Sequence, residues 1–284
     1  MEISRQRFAE WELTDQDQAY LDKIETPTKV HEGVFTPDEI EMIRKQLSLV
    51  TGVRTTSDVG DNGVRTNRIN RIVQGFNLVR LPIFELIKSR IPLLQDPNIG
   101  ISYALFSRVF DGYKIHTDSG RKSAKSHYRN VLIPLEIVAN DEEKYAQHKD
   151  DNCLFIFNQK SRLSYSCCYG SAKEVLDAIE KNNQDVYQNG LYVPLVTKEL
   201  YADFVLGYTG VDNSMDERVI NLCSHLPRDD FHGLSLKESC KWTPGNVVEF
   251  DSRYAHTSTN FKDLGCESKE LFLIFTYLKD FTGE

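Results

Sequence analysis

The chain has 284 residues, 40% of them hydrophobic and 27% charged, an ordinary balance for a globular protein able to bury a sizeable core. A formal net charge of -8 and a pI near 5.5 argue against a general nucleic-acid surface, which needs clustered Lys and Arg. No stretch approaches the roughly 18 apolar residues of a membrane-spanning helix. The polar start from Met1 to Gln18 also lacks the apolar core of a signal peptide, so the expectation is a cytosolic protein without membrane or nucleic-acid partners.

Residues 1–34 read as a polar arm, extended or partly helical. Thr36-Pro37-Asp38-Glu39 is a helix start: Thr36 caps, Pro37 takes the first helical position and Glu39 lies three residues after the cap. Ile40, Ile43 and Leu47 follow at helical spacing. Residues 52–63 are loop-like, and 65–80 read as strand or irregular. Pro82 to Arg90 predicts a second helix with Ile83, Leu86 and Ile87 on its apolar face.

Beyond Pro92 and Pro97 the period changes from helix to strand. Residues 102–110 are rich in aromatic and β-branched side chains, Asp111-Gly112 makes a turn, and Tyr113 to Asp118 reads as a short strand. Tyr128 to Ile137 is a buried strand, 139–152 a charged loop, and Leu154 to Phe157 a short strand. Ala172 to Asn182 predicts a helix through Val175, Leu176 and Ile179. Strands follow at 233–242, at 246–250 after the Thr243-Pro244-Gly245 turn, and at 269–278. Helices first and many short strands afterwards predict a mainly β sandwich or barrel with flanking helices. The six cysteines, at 153, 167, 168, 223, 240 and 266, show no C-x-x-C spacing. Free, mostly buried thiols are expected, ahead of a redox role for Cys167-Cys168.

The chemistry-bearing residues are His116, Asp118 and His256. Side chains at i and i+2 of a strand share a face, so His116 and Asp118 can grip one ion from adjacent pleats. His256, at the end of another strand, can supply a third ligand. Two histidines and one carboxylate on one face of a metal, with open positions opposite, suit non-haem Fe(II). A second His-x-Asp triplet, His148-Lys149-Asp150, lies in a run too polar for a buried strand and reads as solvated. Zinc accepts the same three ligands, so a metal-dependent hydrolase is the rival enzyme reading. A non-catalytic cupin-like binding module is the third reading. No phosphate-binding Gly-rich loop and no nucleophile elbow occurs.

Taken together, Tyr113-Lys-Ile-His-Thr-Asp118, the strand Tyr128 to Leu135, the run Trp242 to His256 and the basic-headed strand Lys269 to Tyr277 resemble the Fe(II)/2-oxoglutarate-dependent dioxygenase superfamily. The likeness is greatest to its prolyl-hydroxylase-like and phytanoyl-hydroxylase-like branches. The resemblance spans roughly Tyr103 to Leu278. It implies a double-stranded β-helix, a cupin-like jelly roll, within one oxygenase domain over 1–284. In that domain 1–97 would be helical support, 98–138 and 221–279 the jelly-roll core, and 140–220 an insertion that could act as a lid. It implies Fe(II) on His116, Asp118 and His256, with 2-oxoglutarate and O2 as cosubstrates. The implied reaction is hydroxylation of a C–H bond of a small-molecule or peptide substrate with release of succinate and CO2. Asp118 favours hydroxylation, since related halogenases have a small residue at that place. Lys269 heads the last strand where the family pairs a basic residue with the distal carboxylate of 2-oxoglutarate. It follows His256 by thirteen positions, a longer gap than is usual there, so Arg129 is an alternative anchor. Tyr103 and Asn130 are candidate cosubstrate contacts, and Arg121 a candidate for an acidic substrate. The 140 positions between the two ligand histidines are what imply the insertion.

Overall fold

Alternation of apolar residues makes strands that must be covered on one or both faces, and this chain covers them with a second sheet on one side and helices on the other. The computed structural model describes residues 14–25, 27–49, 58–59, 65–66, 68–118, 127–162, 167–169, 187–188, 191–192, 195–196, 205–207 and 215–279. Eight strands form the centre, numbered in chain order. They are β1 (Ile99–Val109), β2 (His116–Thr117), β3 (His127–Ala139), β4 (Cys153–Ser161), β5 (Leu236–Lys241), β6 (Val247–Asp251), β7 (Tyr254–Ser258) and β8 (Cys266–Leu278). One sheet carries β6-β3-β8-β1, extended at its edges by Lys29–His31 beside β6 and Arg68–Gln74 beside β1. The other carries β2-β7-β4-β5. All these pairs are antiparallel, and the chain crosses between sheets at nearly every step. Two interleaved four-stranded sheets of this order are a double-stranded β-helix, the jelly roll expected from the sequence.

The larger sheet shows the two-sided burial directly. Val131, Ile133, Phe272 and Ile274 turn outward onto helices α2 (Pro37–Ser48) and α3 (Pro82–Arg90), meeting Ile43, Leu47, Phe84 and Ile87. The alternate residues Leu132, Leu271, Leu273 and Phe250 turn inward and meet Leu154, Ile156 and Trp242 of the smaller sheet. Each such side chain, fully buried, contributes about 1.5–3 kcal/mol relative to exposure. The outer face of the smaller sheet, with Phe155, Phe157 and Ala255, is covered by Val219, Cys223 and Phe231.

Helix α2 begins as its residue types require. The Thr36 hydroxyl accepts from the Glu39 N–H at 3.3 Å, and the Glu39 carboxylate accepts from the Thr36 N–H at 2.9 Å. Arg44 on α2 then donates to Glu270 at 2.7 Å and to Glu136 at 2.6 Å. This outward pairing of Glu270 leaves its neighbour Lys269 facing into the sandwich. At the predicted turn Gly245 adopts φ +89°, and a Cβ there would lie 2.5 Å from the Phe35 carbonyl oxygen, so only glycine fits without a shift.

Several expectations change. The charged stretch 139–152 contains a helix, Glu142–His148, capped by Asp141, whose side chain accepts from the Lys144 N–H. None of its residues is buried, so no apolar period betrays it. The strand read over 113–118 is paired only at His116–Thr117. Strand β4 lies inside the span 140–220, yet it sits between β7 and β5 in the smaller sheet. Strand order, which local sequence does not encode, puts that part of the span in the core. The helix read over 172–182 lies outside the described residues. Strand β6 is buried on both faces: Val248 and Phe250 pack into the sandwich, Val247 packs with the helices, and Lys29–His31 pairs along its edge. Among the described residues no helix is long and apolar enough to cross a membrane.

Thr36→Ala removes one half of the reciprocal cap and is expected to lower stability by about 1 kcal/mol. Urea denaturation followed by circular dichroism checks this, with the midpoint moving and the slope unchanged.

Candidate metal centre

The centre begins with register. His116 on β2 is the direct partner of His256 on β7, so both imidazoles rise from adjacent strands, with ring centroids 4.2 Å apart. Asp118 follows β2 by one residue, and its backbone N–H donates to the Ser252 carbonyl at 2.9 Å. The turn bearing Ser252 is itself held. The buried Arg253 guanidinium binds Asp251 of the same turn at 2.7 Å, and Gln18 and Asp22 of helix α1 (Asp15–Lys23) at 3.1 and 3.2 Å. The N-terminal segment continues past the same end of the sandwich, where Glu25 accepts from the Tyr254 hydroxyl and from Lys160.

Nε2 of His116 lies 3.4 Å from Asp118 Oδ1, and Nε2 of His256 lies 3.2 Å from Asp118 Oδ2. One ligand atom from each of the three residues falls within 4.8 Å of the others. The Nδ1 atoms face backbone carbonyls, His116 toward Lys114 O and His256 toward Tyr254 O, each at 2.9 Å. A carbonyl only accepts, so Nδ1 carries the proton and Nε2 keeps a free lone pair directed at the cluster. Asn130 Nδ2 donates to Asp118 Oδ2 at 2.8 Å and fixes the carboxylate plane. Burial alone would raise the Asp118 carboxyl, but the His256 and His116 imidazoles beside it, through their charge when protonated and their hydrogen bonds, hold it well below the usual carboxylate range. The centre thus offers two nitrogen donors and one ionised oxygen donor, with backbone and side-chain groups orienting all three, and a metal cation would take the place of the imidazole Nε2 protons.

The other predicted residues separate. Tyr103, Phe275, Asn130 and Phe250 are register partners in a row across the larger sheet. Tyr103 stacks on Phe275 at 4.3 Å, and the Phe250 ring lies 5.0 Å from the His256 ring. Tyr103 and Asn130 therefore line the interior beside the triad, but the bond seen for Asn130 is to Asp118. Arg129, next to Asn130 along β3, points to the opposite face, toward the Pro27 carbonyl at 3.0 Å and Glu249 at 3.9 Å. That orientation turns it away from the triad. Arg121 lies outside the described residues. The decoy His148 stands at the exposed end of its helix, 3.4 Å from Asp151.

Lys269 is 1% exposed, and its Nζ has no hydrogen-bond partner among the described residues. It lies over two rings, 4.7 Å from the Trp242 centroid and 4.6 Å from that of Phe261. Burial pushes its ammonium down to about 7, only partly opposed by Cys266, Cys153 and Cys223. Trp242 and Phe261 were not singled out from sequence for any role. The signal available for Trp242 was an indole N–H that must find an acceptor if buried, at the foot of the Pro-Gly turn leading to His256. The cysteines at 153, 223, 240 and 266 are free and buried, as expected. The side chains of Cys167 and Cys168 lie outside the description.

Asn130→Leu is expected to weaken metal binding about 10–100-fold by releasing the Asp118 carboxylate. A Co(II) titration read by visible absorbance measures this, with His148→Ala as a control that should bind as wild type does.

No family model matches the sequence, and no curated protein matches it. Solved structures do match along most of the chain. One is HygX from Streptomyces hygroscopicus with nickel and 2-oxoglutarate bound, at 13% identity and a TM-score of 0.45, covering 95% of this chain and 89% of that one. Another is a prolyl hydroxylase from Trichoplax adhaerens in complex with a hypoxia-inducible-factor peptide, at 10% identity and 0.42, covering 93% and 91%. A third is an oxidoreductase of the 2-oxoglutarate–Fe(II) oxygenase family from Burkholderia pseudomallei, at 11% identity and 0.40, covering 94% and 93%. Identities this low transfer no residue's role to this chain.

Proposed function

We propose that this protein is an Fe(II)- and 2-oxoglutarate-dependent oxygenase that hydroxylates a C–H bond of a small-molecule or peptide substrate. The observation that carries the reading is the pairing of two features in one sandwich interior: a His116–Asp118–His256 cluster and a buried cation, Lys269, with no acceptor among the described residues. The three donors suit Fe(II) with open positions, but zinc takes them equally well. The unpaired cation separates the readings. A buried ammonium is costly unless it is matched by an anion, and a hydrolase centre has no need of one there.

The fit extends between the two features. A single apolar cluster joins Trp242, beside Lys269, to Phe250, beside His256, through Leu154, Ile156 and Leu132. Those walls match the aliphatic middle of a dicarboxylate. Lys269 would hold its distal carboxylate, while His116, Asp118 and His256 would hold the metal that its 2-oxo acid end meets. Bound iron would supply activation of O2 coupled to decarboxylation of 2-oxoglutarate to succinate and CO2. The chain's own contribution is to keep both Nε2 lone pairs free, orient Asp118 through Asn130 and exclude water with apolar walls. Within this reading the chain is one oxygenase domain, with the span 140–220, apart from β4, as its inserted segment.

Anaerobic addition of Fe(II) and 2-oxoglutarate should give a weak visible metal-to-ligand charge-transfer band, lost in His116→Ala and in His256→Ala. A metal-loaded wild-type protein without the band would sink the oxygenase reading.

The affinity for 2-oxoglutarate should also depend on pH. Lys269 titrates near 7 in the free protein, and an adjacent carboxylate raises it, so binding above that pH takes up a proton. Affinity should therefore fall between pH 7 and 9, approaching tenfold per unit. In Lys269→Arg the guanidinium stays charged, and the slope should vanish. A flat wild-type profile would contradict the anchoring role.

A further inference from the structure

Trp242 closes β5, and its backbone N–H donates to the Asn152 carbonyl at 2.7 Å, which fixes the ring against the sheet. The side chain is 5% exposed, and its Nε1 is buried without a hydrogen-bond partner among the described residues. An indole N–H only donates, as does an ammonium. The Lys269 Nζ, 4.7 Å from the same ring's centroid, is the second orphaned donor. A ring face steadies a cation but does not satisfy its N–H bonds, so each of these donors, set on one indole, calls for an acceptor. The titratable side chains that bear on Lys269 are the thiols of Cys266, Cys153 and Cys223 and the imidazole of His225, which burial keeps neutral. Burial pushes the Cys223 thiol up to about 12 and raises the other two thiols as well, so all three stay neutral and are weak acceptors. Besides these two donors the neighbourhood offers neutral sulfur, aromatic faces, and the buried Asn152 amide oxygen and His225 Nδ1, neither of which bonds either donor among the described residues. A carboxylate, with two oxygens and four lone-pair sites, is the group that satisfies both donors at once.

We infer that the Trp242 indole N–H is a specificity-determining donor to the carboxylate that Lys269 holds, so that this chain grips the distal end of a dicarboxylate with a lysine–tryptophan pair. The inference rests on the oxygenase reading above and adds to it a residue and a selectivity. A 2-oxo acid lacking the second carboxylate reaches the metal but leaves both donors unmatched. Discrimination against it then comes from two orphaned groups rather than one.

The test uses the full chain, loaded with Zn(II) to keep O2 chemistry silent and labelled with 15N in its two tryptophans, Trp11 and Trp242. Trp242→Phe assigns the indole signals and keeps a ring beneath Lys269. Saturating 2-oxoglutarate should move the Trp242 indole N–H resonance, and pyruvate should not. Trp242→Phe should weaken 2-oxoglutarate binding about 10–100-fold, the range for one hydrogen bond to a charged group, and leave pyruvate affinity unchanged. A Trp242 resonance unmoved by saturating 2-oxoglutarate, or moved equally by pyruvate, overturns the inference. The wild-type spectrum decides this even if the variant folds poorly. The Fe(II) charge-transfer band separates the two levels. With the band present and the indole silent, only the tryptophan's role falls. With the band absent, the oxygenase reading falls and this inference with it.

Discussion

The register between β2 and β7 is the constraint on which the centre depends. His116 and His256 are direct partners, and side chains alternate faces along a strand. A slip of one residue in either strand would send one imidazole to the outer face and leave Asp118 without its neighbours. The register is over-determined. Asp118 N–H is tied to Ser252, the Ser252 turn is clamped by Arg253 to helix α1, and Asn130 reaches across from the larger sheet to the Asp118 carboxylate. Each tie comes from a different segment, so the centre exists only when both sheets and the N-terminal arm have come together.

The sandwich interior is divided by chemistry. Near the triad it is polar, and each ligand's second polar atom meets a backbone or side-chain partner. Toward the start of β8 it holds Lys269 and, beside it, Trp242, two donors without acceptors among the described residues, set among rings and neutral thiols. Between the two lies an apolar cluster that serves equally as core and as lining. A fold that tolerates a buried unpaired ammonium gives up stability there. The outward pairing of its neighbour Glu270 with Arg44 and Arg108 leaves Lys269 no route to the surface.

Much of this was legible locally. The cap at Thr36, the helix at Pro82, the long strands β1, β3 and β8 and the glycine turn at 245 are short-range consequences of residue type, and they fell where periodicity and turn chemistry put them. The two His-x-Asp triplets were distinguishable because one lay among strand-forming residues and the other in a charged run. That second run proved to be a solvent-exposed helix, invisible to a search for apolar period.

The sequence by itself determined the donor set, the two-residue spacing of His116 and Asp118, and the basic residue near the start of the last strand. Those are properties of neighbours in the chain, where pleat geometry decides which side chains share a face. Only the tertiary structure decided that His116 meets His256 across 140 positions, that Asn130 serves Asp118, that Arg129 faces away, and that β4 belongs to the core. It alone also brought Trp242 to Lys269. Burial and strand order are properties of the assembled sheets, and a buried donor reveals its missing acceptor only once every wall around it is in place.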